Sequence, residues 1–148
     1  MNDDNYREPF TLLSQNLDTF IQTVESKKSS FMATDQWTVK DILCHIVYWH
    51  ENYTSNYQAL AKKLPPPLLD GPGYKLNQEG VTSLRKFSET ELIARLHKAN
   101  NILRYCIIEK QVPKMTYKKD GHIYNTEDFL HMVARHLMTH TIQVRRAK

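Results

Sequence analysis

The segment NTEDFLHMVARHLMTHTIQVRR, residues 125–146, predicts one long helix and decides the class of the fold. Asn125 with Asp128 three residues later is an N-cap signal, and neither Gly nor Pro interrupts the residues that follow. Such a helix has about five turns. The side chains that share one stripe at helical spacing are Phe129, Val133, His136, Leu137, His140 and Val144. The segment therefore predicts an amphipathic helix with two histidines on its inward face.

His136 and His140 are four positions apart, so their imidazoles lie one above the other on consecutive turns. Two imidazoles placed in this way can bind a single metal ion. His131 falls on the opposite face of the helix, where we expect it to be solvated. The alternative is structural: His136 and His140 would be core histidines that hydrogen-bond to Tyr53, to Tyr57 or to each other.

The residues that precede this helix predict a small hairpin and another helix. The segment from Met115 to Tyr124 has an Asp-Gly turn between two β-prone flanks, which indicates a hairpin. Ser88 and Glu91 form a capping box that begins a helix over residues 89–110, and Pro113 marks its end. The inward stripe of that helix consists of Leu92, Leu96, Ala99, Leu103 and Cys106 or Ile107.

Two further helices are predicted in the N-terminal half of the chain. Residues 1–9 are polar and are expected to be frayed, and the first helix covers residues 10–28. Thr38 and Asp41 form a capping box that begins a second helix over residues 38–63. The inward side chains of the first helix are Phe10, Leu13, Leu17, Phe20, Ile21 and Val24. Those of the second helix are Val39, Ile42, Ile46, Trp49, Tyr53, Tyr57 and Leu60, with His45 at the edge of the stripe and His50 on the other flank.

A long connection follows the second helix. The triplet Pro65-Pro66-Pro67 must end that helix, because successive prolines supply no amide donors. Turn residues extend from Asp70 to Tyr74, and residues 77–87 predict a short helix. The connection is longer than the usual link between two helices. We therefore expect residues 64–87 to cover the mouth of a pocket.

These elements predict an all-α protein with a single domain over residues 1–148. The chain has only 4 glycines, and 41% of its residues are hydrophobic and occur in periodic patches. Four amphipathic helices, each with one inward face, are accommodated most simply by an antiparallel four-helix bundle. The bundle is expected to have a long covering connection between its second and third helices and a small hairpin before its last helix.

Charge and composition exclude several classes of function. The 20 Lys and Arg against 16 Asp and Glu give a net charge of +4, and the basic residues are scattered, so nucleic-acid binding is not expected. No apolar run approaches the roughly 18 residues that a membrane span requires, and the N-terminal segment MNDDNYREPF is acidic and has no apolar h-region. We expect a cytoplasmic protein. Cys44 and Cys106 are therefore expected to be reduced and at least partly buried.

One motif and the last helix resemble a known family. The segment from Trp37 to Ile46, WTVKDILCHI, resembles the pattern W-S-V-x-[DE]-[IL]-L-x-H-[LI] that opens the second helix in the DinB superfamily. The last helix resembles that superfamily through its H-x-x-x-H pair. The residues from Gly73 to Gln78 and onward are similar to a narrower group, the DfsB/ClbS-like branch. The resemblance spans nearly the whole chain.

The DinB resemblance implies a divalent metal site of three histidines, which in this chain are His45, His136 and His140. Three imidazoles suit zinc or nickel and leave positions open for water or substrate. An ion held in this way can lower the pKa of a bound water to roughly 7, or it can activate a thiolate. The resemblance also implies hydrolase or thiol transferase chemistry on a small molecule, and a homodimer.

Trp49, Tyr53, Tyr57 and Tyr74 are candidates for lining the pocket, although tyrosines at helical spacing are commonly packing residues. No inward carboxylate accompanies the histidines, so the sequence identifies no catalytic base. Two alternatives to a metal-dependent enzyme remain. One is a non-catalytic or metal-free ClbS-like protein that protects by sequestering or acting on a ligand, and the other is a structural bundle that dimerises.

Overall fold

The computed structural model describes residues 4–148, and within them the chain is mostly helical with one small sheet. The helices are α1 Asp4–Glu25, α2 Val39–Ala61, α3 Gly73–Leu84, α4 Glu89–Arg104 and α5 Thr126–Arg145. A π-helical turn, Tyr105–Glu109, continues α4. The two strands are β1 Lys114–Met115 and β2 Tyr124–Asn125. The all-α class and the four long helices predicted from the sequence are therefore confirmed.

The four long helices form two parallel pairs that run in opposite directions. Asn16 on α1 donates to the carbonyl of Ala134 on α5 at 2.9 Å, and Lys27 beyond α1 reaches the carbonyl of Ala147 beyond α5 at 3.2 Å. Helices α1 and α5 are therefore parallel neighbours. The start of α2 lies beside the start of α4, since the Lys40 ammonium donates to the carbonyl of Arg85 at 2.9 Å. This arrangement requires the long connection between α2 and α4 to return along the bundle.

The predicted inward faces form the core. Every predicted inward side chain of the first helix is buried, and so are those of the last helix except its two histidines, which are half-buried.

The prediction for the start of the first helix was wrong, because α1 begins at Asp4 instead of residue 10. Tyr6 packs partly buried against the core and extends the helix. Pro9 removes only the amide donor to the carbonyl of Asn5, an exposed residue where water can replace it. Of the predicted frayed segment, residues 1–3 lie outside the described residues.

The connection after α2 contains α3, which begins at Gly73 and ends at Leu84, a few residues earlier than predicted. Helix α3 packs against α2 through a close approach at Gly80, where an added Cβ would lie 2.5 Å from the ring of Tyr48. The Trp49 indole nitrogen also donates to the side-chain oxygen of Asn77 at 2.8 Å. The connection is therefore fixed on the outer side of α2.

The end of α4 and the hairpin complete the fold. The π-helical turn carries the helical run to Glu109, close to the predicted end at residue 110. Strands β1 and β2 pair antiparallel, with Lys114 opposite Asn125, which confirms the predicted small hairpin before the last helix. Cys44 and Cys106 are buried and unpaired, as the sequence predicted. None of the helices in the described part of the chain is long and apolar enough to cross a bilayer.

Candidate metal centre

Three histidines from two helices meet at one point in the bundle. The Nε2 atom of His136 lies 3.2 Å from Nε2 of His45 and 3.0 Å from Nε2 of His140. The ring centroids of His45 and His140 are 4.7 Å apart. One ligand atom from each of the three histidines lies within 4.8 Å of the others. We call His45, His136 and His140 the histidine cluster.

The ends of two helices set the positions of these side chains. The Thr38 hydroxyl accepts from the amide of Asp41 at 3.1 Å, and the Asp41 carboxylate accepts from the amide of Thr38 at 3.2 Å, which fixes the first turn of α2. His45 lies one turn beyond Asp41 and is only 5% exposed. Asn125 caps α5 in a similar way by accepting from the amide of Asp128 at 2.8 Å. Since α2 and α5 run in opposite directions, the early part of α2 faces the late part of α5.

Hydrogen bonding alone does not satisfy the histidine cluster. The side-chain oxygen of Gln143 lies 2.7 Å from Nδ1 of His140, so that nitrogen carries the proton and Nε2 keeps a lone pair. Nε2 of His136 lies close to two ring nitrogens, but a single proton there can make only one well-aligned hydrogen bond. One of the two close contacts between Nε2 atoms therefore lacks a well-aligned hydrogen bond, whichever tautomer His136 adopts. The Nδ1 atom of His45 is buried and has no hydrogen-bond partner. A cation bound by the Nε2 atoms would not supply a partner for Nδ1 of His45.

The same geometry fits a metal ion. Zinc binds imidazole nitrogens at about 2.0–2.1 Å, so two nitrogens on one tetrahedral ion are about 3.3 Å apart. The close contacts in the histidine cluster, 3.0 and 3.2 Å, are near that separation. A cation would bind the lone pairs that now face one another. The hydrogen bond from His140 to Gln143 is the kind of contact that orients a metal ligand and fixes its tautomer.

The electrostatics keep all three imidazoles neutral at physiological pH. Burial, followed by the proximity of His140 and His136, lowers the pKa of His45 to about 2. Burial and the neighbouring histidines lower the pKa of His136 to about 4. Burial also lowers the pKa of His140, against the opposing effect of its hydrogen bond to Gln143. Neutral imidazole is the form that binds metal ions, so the cluster is in its ligand form without any change in pH.

The histidine cluster is closed on one side and partly open on the other. The Trp37 ring lies against His45, with 5.1 Å between their centroids, and His45 is buried. His136 and His140 are half-buried, so solvent reaches the cluster from the side of α5. The sequence identified Trp37 only as the first residue of the motif that opens the second helix. Gln143 was also missed, although its position three residues after His140 was a local signal.

The residues predicted to line a pocket occupy different environments. Tyr57 is fully buried, and its hydroxyl lies 2.9 Å from the hydroxyl of Thr126. Trp49 and Tyr53 are buried in an aromatic group in which each ring contacts Tyr117. Tyr74 is 79% exposed. In the structural alternative, His136 and His140 would hydrogen-bond to Tyr53, to Tyr57 or to each other. Among these contacts of the described residues, the structure shows the one between His136 and His140.

Two other histidines were singled out in the sequence, His50 and His131. His50 is 2% exposed, and its Nε2 lies 2.9 Å from the side-chain oxygen of Asn100 on α4. Asn100 in turn donates to the hydroxyl of Ser14 on α1 at 3.4 Å. His131 is half-buried and lines an open groove between α1 and α5, so it is only partly solvated. Neither residue belongs to the histidine cluster.

Comparison with known proteins gives structural neighbours but no relatives by sequence. No protein-family model and no curated protein matches the chain. The structure of the mycothiol-dependent maleylpyruvate isomerase matches with a TM-score of 0.74 and 12% identity, over 97% of this chain and 61% of that one. A variant of that isomerase, in which a histidine is replaced by alanine, matches with a TM-score of 0.75 and 12% identity, over 100% of this chain and 62% of that one.

The chain shares the fold of these isomerases. This is an all-α fold, as the sequence predicted, and neither comparison distinguishes the DfsB/ClbS-like branch. The chain spans about three fifths of the length of the isomerases, 61% and 62%. At 12% identity the likeness shows that the fold is shared, and it is not evidence of a shared activity. The evidence on function therefore lies in the histidine cluster itself.

Proposed function

We propose that His45, His136 and His140 hold one divalent metal ion and that the protein acts on a small molecule at this site. The observation that carries the proposal is the convergence of three Nε2 atoms, with 3.0 and 3.2 Å between neighbours. Nitrogen ligands without a carboxylate favour zinc or nickel over magnesium or calcium. Three protein ligands leave room for a further ligand, as in catalytic sites.

A bound divalent ion would supply Lewis acidity, which lowers the pKa of a water or thiol that binds it. The chain's own residues shape the site for this chemistry. The three imidazoles are neutral and add no negative charge that would weaken such acidity. Gln143 orients His140, and Trp37 shields His45 from water on one side. The described residues of the cluster include no carboxylate, so a general base would have to come from substrate or water.

We favour a thiol-dependent reaction over hydrolysis for this site. The structural neighbours are mycothiol-dependent isomerases, and they share the fold over nearly the whole of this chain. The thiol would add through its sulfur to an electrophilic carbon, where the new carbon–sulfur bond replaces a π bond or the bond to a leaving group, and the thiol proton would go to water or substrate. Transfer keeps the carbon–sulfur bond, whereas isomerisation requires the thiol to leave again. Hydrolysis uses the same cluster with water in place of the thiol. The two reactions are separated by asking whether turnover of an electrophilic probe requires an added thiol.

The test of metal binding is elemental analysis of protein purified without a polyhistidine tag. We expect about one zinc or nickel ion per chain. His136→Ala and His140→Ala should each lose the metal, because the remaining imidazoles make a poor chelate. The control is His131→Ala, which removes a histidine from the same helix but outside the cluster. Metal-free wild-type protein that also fails to take up zinc or nickel would refute the proposal.

The second candidate is a metal-free protection or ligand-sequestering protein of the ClbS-like type. The sequence from Gly73 onward favours this branch, and in the structure those residues form α3. This candidate predicts ligand binding that is unchanged when His136 and His140 are replaced. A homodimer and a cytoplasmic location also remain proposals. Light scattering across a wide concentration range tests the dimer, and a mass that stays near 17.4 kDa would exclude it.

A further inference from the structure

One outer side of the bundle carries large apolar side chains that the core does not cover. Within residues 4–148, the large hydrophobic side chains exposed on the four long helices are Leu12, Met138 and Ile142. Leu12 lies on α1, and the other two lie on α5, the helix that runs parallel to α1 beside it. The exposed apolar side chains of the long helices are therefore confined to the α1/α5 pair.

Two open grooves run between α1 and α5, and these side chains line them. The first groove has a volume of about 800 Å³, and the residues that line it include Leu12, Arg7, Glu8, Gln15, Glu127 and His131. The second has a volume of about 210 Å³ and is lined by Asn16, Thr19, Met138, Thr141, Ile142 and Arg145. The inner side of this helix pair faces the core, so both grooves open on the same outer side. We call the residues that line the two grooves the outer face.

The floor of the second groove can be covered without leaving its polar donors unpaired. The Asn16 amide donates to the carbonyl of Ala134 at 2.9 Å, and the Thr141 hydroxyl donates to the carbonyl of Leu137 at 2.7 Å. A partner that covers this groove would leave both hydrogen bonds intact and would remove exposed apolar side chains from water. An apolar patch with a polar border is typical of a protein–protein contact.

The two grooves differ in charge. In the first, the carboxylates of Glu8 and Glu127 outnumber the guanidinium of Arg7. In the second, the lining residue with a charged side chain is Arg145. The outer face is therefore acidic at one end and basic at the other. A partner with complementary charge would have the reverse order, which is the order of the outer face itself turned end to end.

The register of the two helices gives the height of each residue along the bundle. The two hydrogen bonds that join α1 and its end to α5 and its end link residues that are 118 and 120 positions apart. Each residue of α1 is therefore level with the residue of α5 that lies about 119 positions later in the chain. Leu12 is level with His131, which agrees with their presence in the same groove. Ile142 lies about 16 Å further along the helix axes than Leu12.

A single two-fold axis satisfies both the apolar and the charged side chains. An axis perpendicular to the helices, midway in height between Leu12 and Ile142, places Leu12 of one copy opposite Ile142 of the other. Glu127 lies about 14 Å from that midpoint in one direction and Arg145 about 13 Å in the other. The same axis therefore places Glu127 opposite Arg145. Met138 lies within about 2 Å of the midpoint, so the two copies of Met138 occupy the centre.

From this match we infer that the outer face is the contact surface of a homodimer in which a second copy lies antiparallel across α1 and α5. A two-fold axis repeats every contact, so the dimer has an apolar centre and one Glu127–Arg145 contact at each end. A parallel arrangement would instead place like charges together. The inference does not rest on the proposed metal ion, because His136 and His140 point toward α2, on the other side of α5.

The size of the outer face fits a dimer of modest affinity. From Glu127 to Arg145 the face is about 27 Å long, and two adjacent helices are about 20 Å wide. Each copy would bury on the order of 500 Å², or about 1,000 Å² for the two, which is at the low end for a specific interface. We therefore expect the average mass to rise with concentration from 17.4 kDa toward twice that value.

The first experiment measures the dissociation constant of the dimer by sedimentation equilibrium of the 148-residue chain at low salt. Met138→Glu should raise this constant at least about tenfold, because the axis brings both new carboxylates together at the apolar centre. The matched control is Met32→Glu, since Met32 is 45% exposed, against 53% for Met138, and lies between α1 and α2 outside the outer face. A wild-type protein that stays monomeric overturns the inference, and so does a dimer that both variants weaken equally or that Met138→Glu leaves intact.

The second experiment tests the antiparallel arrangement by charge reversal. Arg145→Glu and Glu127→Arg should each weaken the dimer about tenfold at low salt, because each variant alone places like charges at both ends. An equimolar mixture of the two should regain the wild-type affinity within about twofold, since opposite charges then meet at both ends. A variant that had only lost its fold could not be rescued in this way, and absence of rescue overturns the arrangement. Metal content measured on the same samples should be unchanged, so failure of the dimer and failure of the metal site are separate results.

Discussion

Two buried histidines on the same helix, His45 and His50, have different partners. His45 is 5% exposed and His50 is 2% exposed. Burial is the main cause that lowers the pKa of each, to about 2 for His45 and about 4 for His50. By burial and pKa alone, both side chains would be candidates for a functional site. Their partners separate them.

His50 belongs to a closed polar network that joins three helices. Its ring contacts the amide oxygen of Asn100 on α4, and Asn100 donates to Ser14 on α1. His45 instead faces the nitrogens of two other imidazoles and has an unpartnered Nδ1. A satisfied network stabilises and specifies the core, whereas facing lone pairs of neutral imidazoles favour a bound cation. This difference in partners supports the proposal that His45, and not His50, is a metal ligand.

The largest expected effect is the loss of zinc affinity when His45 is replaced, and the matched change at His50 tests the comparison. His45→Gln and His50→Gln are matched changes, since each replaces a buried neutral imidazole by a neutral amide on the same helix. We expect His45→Gln to lower zinc affinity by at least about 100-fold, because one of three ligands is lost. His50→Gln should keep the zinc affinity of the wild-type protein. Competition titration with a chromogenic chelator measures both, and equal losses in the two variants would contradict the assignment.

The next largest effect concerns the free energy of unfolding, which should depend on pH because of His50. The pKa of His50 is lowered to about 4 in the folded protein, whereas an unfolded chain has a histidine pKa near 6.5. Between these two values the unfolded state takes up a proton that the folded state does not bind, so stability falls as pH decreases. For His50 alone the loss is about 3 kcal/mol between pH 7 and pH 4.

Urea unfolding of the metal-free protein over that pH range measures this loss. His50→Gln removes the titrating group, so the free energy of unfolding of this variant should depend less steeply on pH than that of the wild-type protein. His131→Gln serves as the control because His131 is only half-buried. Identical pH dependence in the wild-type protein and His50→Gln would show that the pKa of His50 is the same in the folded and unfolded states, and would contradict the prediction.

A smaller effect on zinc affinity is expected from Gln143, which orients the ring of His140. Gln143→Leu removes the acceptor that holds the proton of His140 on Nδ1, and we expect zinc affinity to fall about 10-fold. Gln143→Glu should retain the affinity, because a carboxylate accepts the same hydrogen bond. Thr139→Val is the control, since Thr139 is an exposed residue on the same side of α5. Isothermal titration with zinc in a competing buffer distinguishes these outcomes.

Local sequence signals predicted most of the fold. The last helix, predicted over residues 126–146, is observed over Thr126–Arg145 because its cap at Asn125 is a local feature. The second helix, predicted over residues 38–63, is observed over Val39–Ala61 for a similar reason, its capping box at Thr38. The start of α1 was missed because Tyr6 is held by packing against the core, which a polar sequence does not reveal.

The candidate site was predicted only in part, because most of its geometry depends on distant residues. The spacing of His136 and His140 is local and predicts their proximity. His45 was expected at the edge of a stripe, but α5 packs beside it and buries it. The role of His50 depends on Asn100, which lies 50 positions away in the chain. No periodic pattern on α2 alone can show which histidine contacts other imidazoles and which contacts an amide.

The smallest effect is expected at the histidine of α5 that lies outside the cluster. His131 and His136 are on the same helix, yet His131 faces the groove beside α1, where Glu127 and Gln15 are among its neighbours. His131→Ala should therefore leave zinc affinity within about twofold of the wild-type value, since none of the cluster's contacts involves it. The same chelator titration measures it beside His136→Ala. If His131→Ala weakened zinc binding as much as His136→Ala, the metal would lie elsewhere on α5, and the three-histidine assignment would be wrong.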